Sequence, residues 1–107
     1  MADVTDATFQ EQVIDRSHTV PVVVDLWAPW CGPCRVLGPI LEQAVASSGG
    51  AVELAKVNVD ENPVTAARFN ARSIPLLLVI KDGREVDRIV GVQPRGEIER
   101  RLRPVTA

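Results

Sequence analysis

Two cysteines separated by two residues, Cys31-Gly32-Pro33-Cys34, are the only thiols in the chain and the residues best suited to chemistry. A valine-rich apolar run, residues 20–28, ends just before them, and a helical pattern begins within them. The free N–H groups and the dipole at a helix N-terminus stabilise an anion. A thiol held there is favoured as the thiolate, which is the nucleophilic form. Cys31 falls at the cap and Cys34 one turn further in, so the sulfurs lie on one side of the helix within bonding reach. Cys31 is expected to be the exposed attacking thiol and Cys34 the more buried resolving one. Pro33 suits the first helical turn, where its missing N–H costs nothing, and it stiffens the link between the sulfurs. Attack by Cys31 on a disulfide forms a mixed disulfide, which Cys34, held nearby at high effective concentration, then resolves.

Other uses of a C-x-x-C pair fit less well. A zinc site needs four ligands, and the one histidine, His18, lies outside any ligand spacing. Covalent haem attachment needs a histidine after the second cysteine, where this chain has Arg35. No bound cofactor or metal is expected. A net charge of -2 argues against a nucleic-acid partner. The one basic cluster, Arg100, Arg101 and Arg103, alternates with Glu97 and Glu99 and reads as a solvated helix face. The apolar runs at 20–24 and 74–80 are too short to span a membrane. The start, Met1-Ala2-Asp3-Val4, lacks the basic, apolar and cleavage features of a secretory signal. A cytoplasmic protein without membrane association is therefore expected. In that reducing compartment a cysteine pair suits redox chemistry better than stapling.

The elements that must position the pair read as a single domain over residues 1–107. Thr8-Phe9-Gln10-Glu11 has the form of a capping box opening a helix to about Arg16, with Phe9, Val13 and Ile14 inward. Residues 15–19 read as a loop, and 20–28 as a strand covered on both faces. A helix over 33–47 carries Val36, Leu37, Ile40, Leu41, Ala44 and Val45 on one side. Gly38, Glu42, Gln43 and Ser47 fall on its other side, Pro39 bends it, and Gly49-Gly50 ends it. Then follow a strand at 52–59, a short helix at 62–70 and a strand at 76–80. The Lys81-Asp82-Gly83 hairpin turn leads into a strand at 85–90. A final helix after Pro94 turns Ile98, Leu102 and Val105 inward. Strands alternating with helices make an α/β fold with helices on both faces of a central sheet, and the hairpin makes that sheet mixed.

Residues 24–35, Val24-Asp25-Leu26-Trp27-Ala28-Pro29-Trp30-Cys31-Gly32-Pro33-Cys34-Arg35, closely resemble the active-site segment of thioredoxins. Pro39, Asp60-Glu61-Asn62-Pro63, Ser73-Ile74-Pro75, Lys81-Asp82-Gly83 and Gly91 fall where that family carries similar residues, so the resemblance spans nearly the whole chain. It implies the thioredoxin fold, a central mixed sheet of about five strands flanked by about four helices. It also implies a protein-disulfide reductase and electron carrier with a redox-active Cys31–Cys34 disulfide. The implied partners are disulfide-containing client proteins and a thioredoxin reductase, through which NADPH is used indirectly. A monomer is the simplest state.

By this resemblance Asp25 lies behind Cys34 and moves its proton, with burial raising its own proton affinity. Read by residue type alone, a strand-end carboxylate bonded to backbone or water accounts for Asp25 equally well. Lys56 resembles the family's lysine near that aspartate, and a side chain that snorkels to the surface is the plainer alternative. Pro75 resembles the family's cis proline facing the dithiol, although a trans proline opening a strand has the same pattern. Ile74 and Pro75 would offer backbone groups to an extended client segment. Trp30, Gly32, Pro33, Gly91 and Val92 would complete a shallow apolar docking surface, with Trp27 packed beneath. Leu26, Ser73, Leu76 and Ile80 depart from the usual family residues without touching the dithiol. A thioredoxin-fold chaperone or scaffold module with secondary redox activity is the second reading. It rests on residues 38–42 and Val92-Gln93-Pro94, which are similar to the thioredoxin domain of a helical-repeat co-chaperone. No repeats follow here. The dipeptide Gly32-Pro33 favours a reductant over an oxidant or isomerase, whose dipeptide is more polar.

Overall fold

The β-branched run before the dithiol forms the central strand of a five-stranded sheet, since such side chains suit a pleated surface covered on both faces. The computed structural model describes residues 2–106. Its strands are β1 (Ala2–Asp3), β2 (Val22–Trp27), β3 (Glu53–Asn58), β4 (Leu76–Lys81) and β5 (Arg84–Val90), in the spatial order β1-β3-β2-β4-β5. β1 and β2 run parallel to β3, while β4 is antiparallel to both β2 and β5. The helices are α1 (Gly32–Ala46), α2 (Pro63–Arg68) and α3 (Arg95–Thr106). A wide helical segment, Gln10–Asp15, and one tighter turn, Arg16–His18, precede β2.

Alternation along β2 separates two cores. Val22, Val24 and Leu26 pack with Phe9, Val13, Leu76, Leu78 and Ile80 on one face. Val23 packs with Leu37, Leu41, Leu77, Ile98 and Leu102 on the face covered by α1 and α3. Register pairs Asp25 with Leu77, so Asp25 shares that second face. At the β4–β5 hairpin, Asp82 and Gly83 both have positive φ, 52° and 80°, as a two-residue turn between paired Lys81 and Arg84 requires.

Several expectations change. The capping box does not form: the hydroxyl of Thr8 accepts the N–H of Thr5 at 3.0 Å, and the N-cap of the Gln10–Asp15 segment is Phe9, which makes no side-chain cap. Residues 16–18, read as loop, form a helical turn. On α1 the buried arc is Cys34, Leu37, Gly38, Leu41 and Ala44. Gly38 therefore faces inward, while Val36, about 100° around the helix from Leu37, is 58% exposed. Strand β1 has no pattern of its own; it exists by pairing Ala2 with Ala55 and Asp3 with Lys56.

Candidate active site

Strand direction gathers the site. The parallel strands β2 and β3 end at one edge of the sheet, β4 starts there and β5 returns to it. Four segments therefore meet at that edge: residues 28–34, 59–60, 74–75 and 91–92. Open α/β sheets carry their sites at such carboxyl ends.

Cys31 is the N-cap of α1, with an extended backbone (φ -86°, ψ 104°), and its Sγ accepts the N–H of Cys34 at 3.2 Å. A side chain at this position satisfies one of the N–H groups the helix start leaves free. The two cysteines are joined in a disulfide with Cα atoms 5.3 Å apart. Exposure does not separate them as expected: Cys31 is 4% exposed and Cys34 6%. Closed on each other, the two cysteines cluster with Ala28, and Trp27, Val59 and Ile74 pack against them. The asymmetry lies in surroundings. Cys34, and not Cys31, lines a cavity of about 230 Å³ with Asp25, Trp27, Arg35, Glu42 and Lys56.

Asp25 is 2% exposed, and its Oδ1 has no hydrogen-bond partner. Burial pushes its pKa up from 3.8 to about 6; the charge of Lys56 pulls it down and that of Glu42 adds to the rise. Lys56 is half-buried, and its Nζ stands 5.0 Å from the centre of the Trp27 ring. Its charge is thus held over an aromatic face near the carboxylate. Trp27 packs against the dithiol cluster, with its indole N–H buried and without a partner.

The residues expected to form a docking surface fall around this centre. Trp30 is 68% exposed, and its Nε1 donates to Asp60 Oδ2 at 2.8 Å. Asp60 is a site residue that the sequence reading did not select. The available signal was position: Asp60 lies just past the end of β3, as Trp30 lies just past the end of β2, its parallel neighbour. The Ile74–Pro75 peptide is cis, and the Pro75 carbonyl accepts the Gly91 N–H at 2.9 Å, joining two of the four segments. Gly91 has φ +79° with open space where a Cβ would stand, so conformation and not crowding calls for glycine there. Gly32, Pro33 and Val92 are exposed beside these groups. The structure thus brings Cys31, Cys34 and Ile74 into one cluster, and Asp25, Lys56 and Cys34 into one cavity. Among the described residues, no group of three or more His, Cys, Asp or Glu side chains could hold a metal ion, and no helix is long and apolar enough to cross a membrane.

Comparison with known proteins agrees with this geometry. The thioredoxin family model matches residues 1–104. Thioredoxin 1 of Nostoc sp. is 45% identical over 101 residues, covering 94% of this chain and 92% of that protein. Thioredoxin 1 of Synechococcus elongatus is 48% identical over 94 residues, 88% of this chain and 86% of its own length. The thioredoxin of Alicyclobacillus acidocaldarius is 45% identical over 101 residues, 94% of this chain and 93% of its own. A dithiol closed at a helix start on the carboxyl edge of a mixed sheet, matched over almost the full length, makes this chain a member of the thioredoxin family and a thiol–disulfide oxidoreductase.

Proposed function

We propose that this single-domain chain works as a monomeric, cytoplasmic protein-disulfide reductase in which Cys31 attacks, Cys34 resolves and Asp25 handles the proton of Cys34. The supporting observation is the N–H of Cys34 aimed at the sulfur of Cys31. In the reduced state that donor and the helix start favour a thiolate at Cys31. The thiolate attacks one sulfur of a client disulfide, and the other client sulfur leaves as a thiolate. Cys34 then gives its proton to the Asp25 carboxylate and attacks Cys31 Sγ. The S–S bond to the client breaks, the second client sulfur leaves, and the Cys31–Cys34 disulfide closes. Two electrons have passed from the dithiol to the client. A pKa of about 6 keeps Asp25 largely ionised near neutrality, yet basic enough to take a proton. Lys56 tempers the rise that burial imposes on Asp25.

The redox group is the cysteine pair itself, and a thioredoxin reductase drawing on NADPH reopens it. Clients dock on Trp30, Gly32, Pro33, Gly91 and Val92, with Ile74 and Pro75 offering backbone groups to an extended segment. The redox reading is preferred to the chaperone or scaffold alternative because client docking beside the dithiol accounts for exposed Trp30. Reduction of insulin disulfides by the pre-reduced protein tests the reading. Turnover is expected from the intact chain and none from Cys31→Ser; equal turnover by that variant contradicts it.

A further inference from the structure

The cavity beside Cys34 has a wall with no part in the steps above. Its inner end holds two buried groups, Asp25 from β2 and Cys34 from α1. Glu42, further along α1, lines the same cavity and is exposed. Residues 34, 38 and 42 are spaced four apart, so they stack on one stripe of α1 about 12 Å long. The middle residue of that stripe is Gly38, where an added Cβ would meet nothing within 4 Å. The stripe between the sulfur and the outer carboxylate is therefore open.

A proton taken up by Asp25 has to leave before the next turnover, and Asp25, only 2% exposed, opens onto this cavity. The other ionisable groups on the cavity wall are Arg35, Glu42 and Lys56. Lys56 and Arg35 are already cationic, and Arg35 Nη2 donates to the Pro29 carbonyl at 2.6 Å. Asp3 and Glu61 line a separate cavity on the far side of Trp27 and Lys56. Glu42 is the one carboxylate that shares the space with Asp25.

We infer that Glu42 is the outer proton acceptor of the resolving step, receiving through this cavity the proton that Asp25 has taken from Cys34 and passing it to bulk solvent. The proton moves from the thiol to Asp25, then across the cavity to Glu42, then to water. The electron pair left on Cys34 forms the new bond to Cys31 Sγ. Glu42 touches neither sulfur and acts through Asp25, as a positioning residue for its proton. The inference rests on the proposed role of Asp25. The electrostatic influence of Glu42 on Asp25 agrees with their sharing one space.

The test measures the resolving rate in single-turnover reduction of a disulfide-bonded peptide, from about pH 5 to about pH 9 in dilute buffer, together with the NMR titration of the Asp25 carboxyl carbon. Wild type, Glu42→Gln, Asp25→Asn and the double variant are compared. Glu42→Gln is expected to slow resolution about threefold, with added imidazole buffer restoring the rate, and to move the Asp25 midpoint downward. In the Asp25→Asn background it should slow nothing further, the signature of a pair acting in series. If Asp25→Asn slows resolution while Glu42→Gln changes neither rate nor midpoint, the role of Glu42 is refuted and that of Asp25 stands. Equal slowing by Glu42→Gln with and without Asp25 also refutes it, since Glu42 would then act on something else. If Asp25→Asn resolves at the wild-type rate, the underlying reading of Asp25 falls and this inference with it.

Discussion

Asp25 and Lys56 are direct register partners on the parallel pair β2–β3, yet Lys56 reaches over Trp27 and leaves one carboxylate oxygen of Asp25 unpartnered. Desolvation outweighs the attraction between the two charges, and the pKa of Asp25 rises to about 6. The proton-acceptor role proposed for Asp25 calls for such an imbalance.

The same imbalance has a cost in stability with a definite sign. The folded pKa of Asp25 lies above its ordinary value of 3.8, so its neutral form favours folding. That contribution is complete below about pH 4 and is lost as pH rises through about 6. The separation corresponds to about 3 kcal/mol. Asp25→Asn should therefore be more stable than wild type at pH 8 by up to about 3 kcal/mol, with the gap closing by pH 4. Urea unfolding at the two pH values checks this, and an unchanged gap at pH 4 would contradict it.

Trp30 stands exposed with its indole N–H tied to Asp60, which holds a large apolar face outward beside the sulfurs. Such a preset aromatic group is well suited to anchoring a partner. Trp30→Ala is expected to raise the KM for a protein disulfide about tenfold. The alkylation rate of Cys31 should stay near wild type, because the helix-start geometry does not involve the indole. A loss confined to kcat with KM unchanged would show that Trp30 does not dock clients.

Outside the dithiol cluster, Asp6 caps α2 across a long stretch of chain. Its carboxylate accepts the N–H groups of Val64 and Thr65 at 3.2 and 2.8 Å and the Thr65 hydroxyl at 2.6 Å, while Asn62 Oδ1 accepts the Asp6 N–H at 2.8 Å. The bond from the Thr65 hydroxyl is the main reason the Asp6 pKa lies below 3.8. A lowered folded pKa means the ionised form favours folding, a contribution present above the ordinary value and lost as pH falls through the folded one. Asp6→Ala should lower the thermal midpoint at pH 7, and the difference from wild type should shrink in strong acid. Identical midpoints at pH 7 would remove this cap from the account.

What could be read from the sequence was local. The valine run of β2, the Asp82-Gly83 turn and the strand–turn–helix setting of Cys31 each depend on neighbouring residues, and each is present in the fold. What escaped depends on partners far along the chain. Strand β1 exists only through β3, the cap of α2 comes from Asp6, and Trp30 is tied to a residue thirty positions on. The Thr8 capping box misled because the same hydroxyl finds a competing donor three residues back, at Thr5. Cys31 is expected to be exposed from its position at the helix start; in the disulfide both cysteines cluster with Ala28, with Trp27, Val59 and Ile74 packed against them. Asp25 could be named from resemblance, but its proton affinity follows from burial, which only the packed structure supplies.

The most direct measurement is alkylation of the reduced protein at neutral pH with a limiting amount of iodoacetamide, with the modified residue located by mass spectrometry. A thiolate stabilised at the start of α1 by the Cys34 N–H requires Cys31 to be labelled first, with Cys34 lagging well behind. Labelling of Cys34 first, or of both at one rate, would contradict the assignment of attacker and resolver on which the mechanism is built.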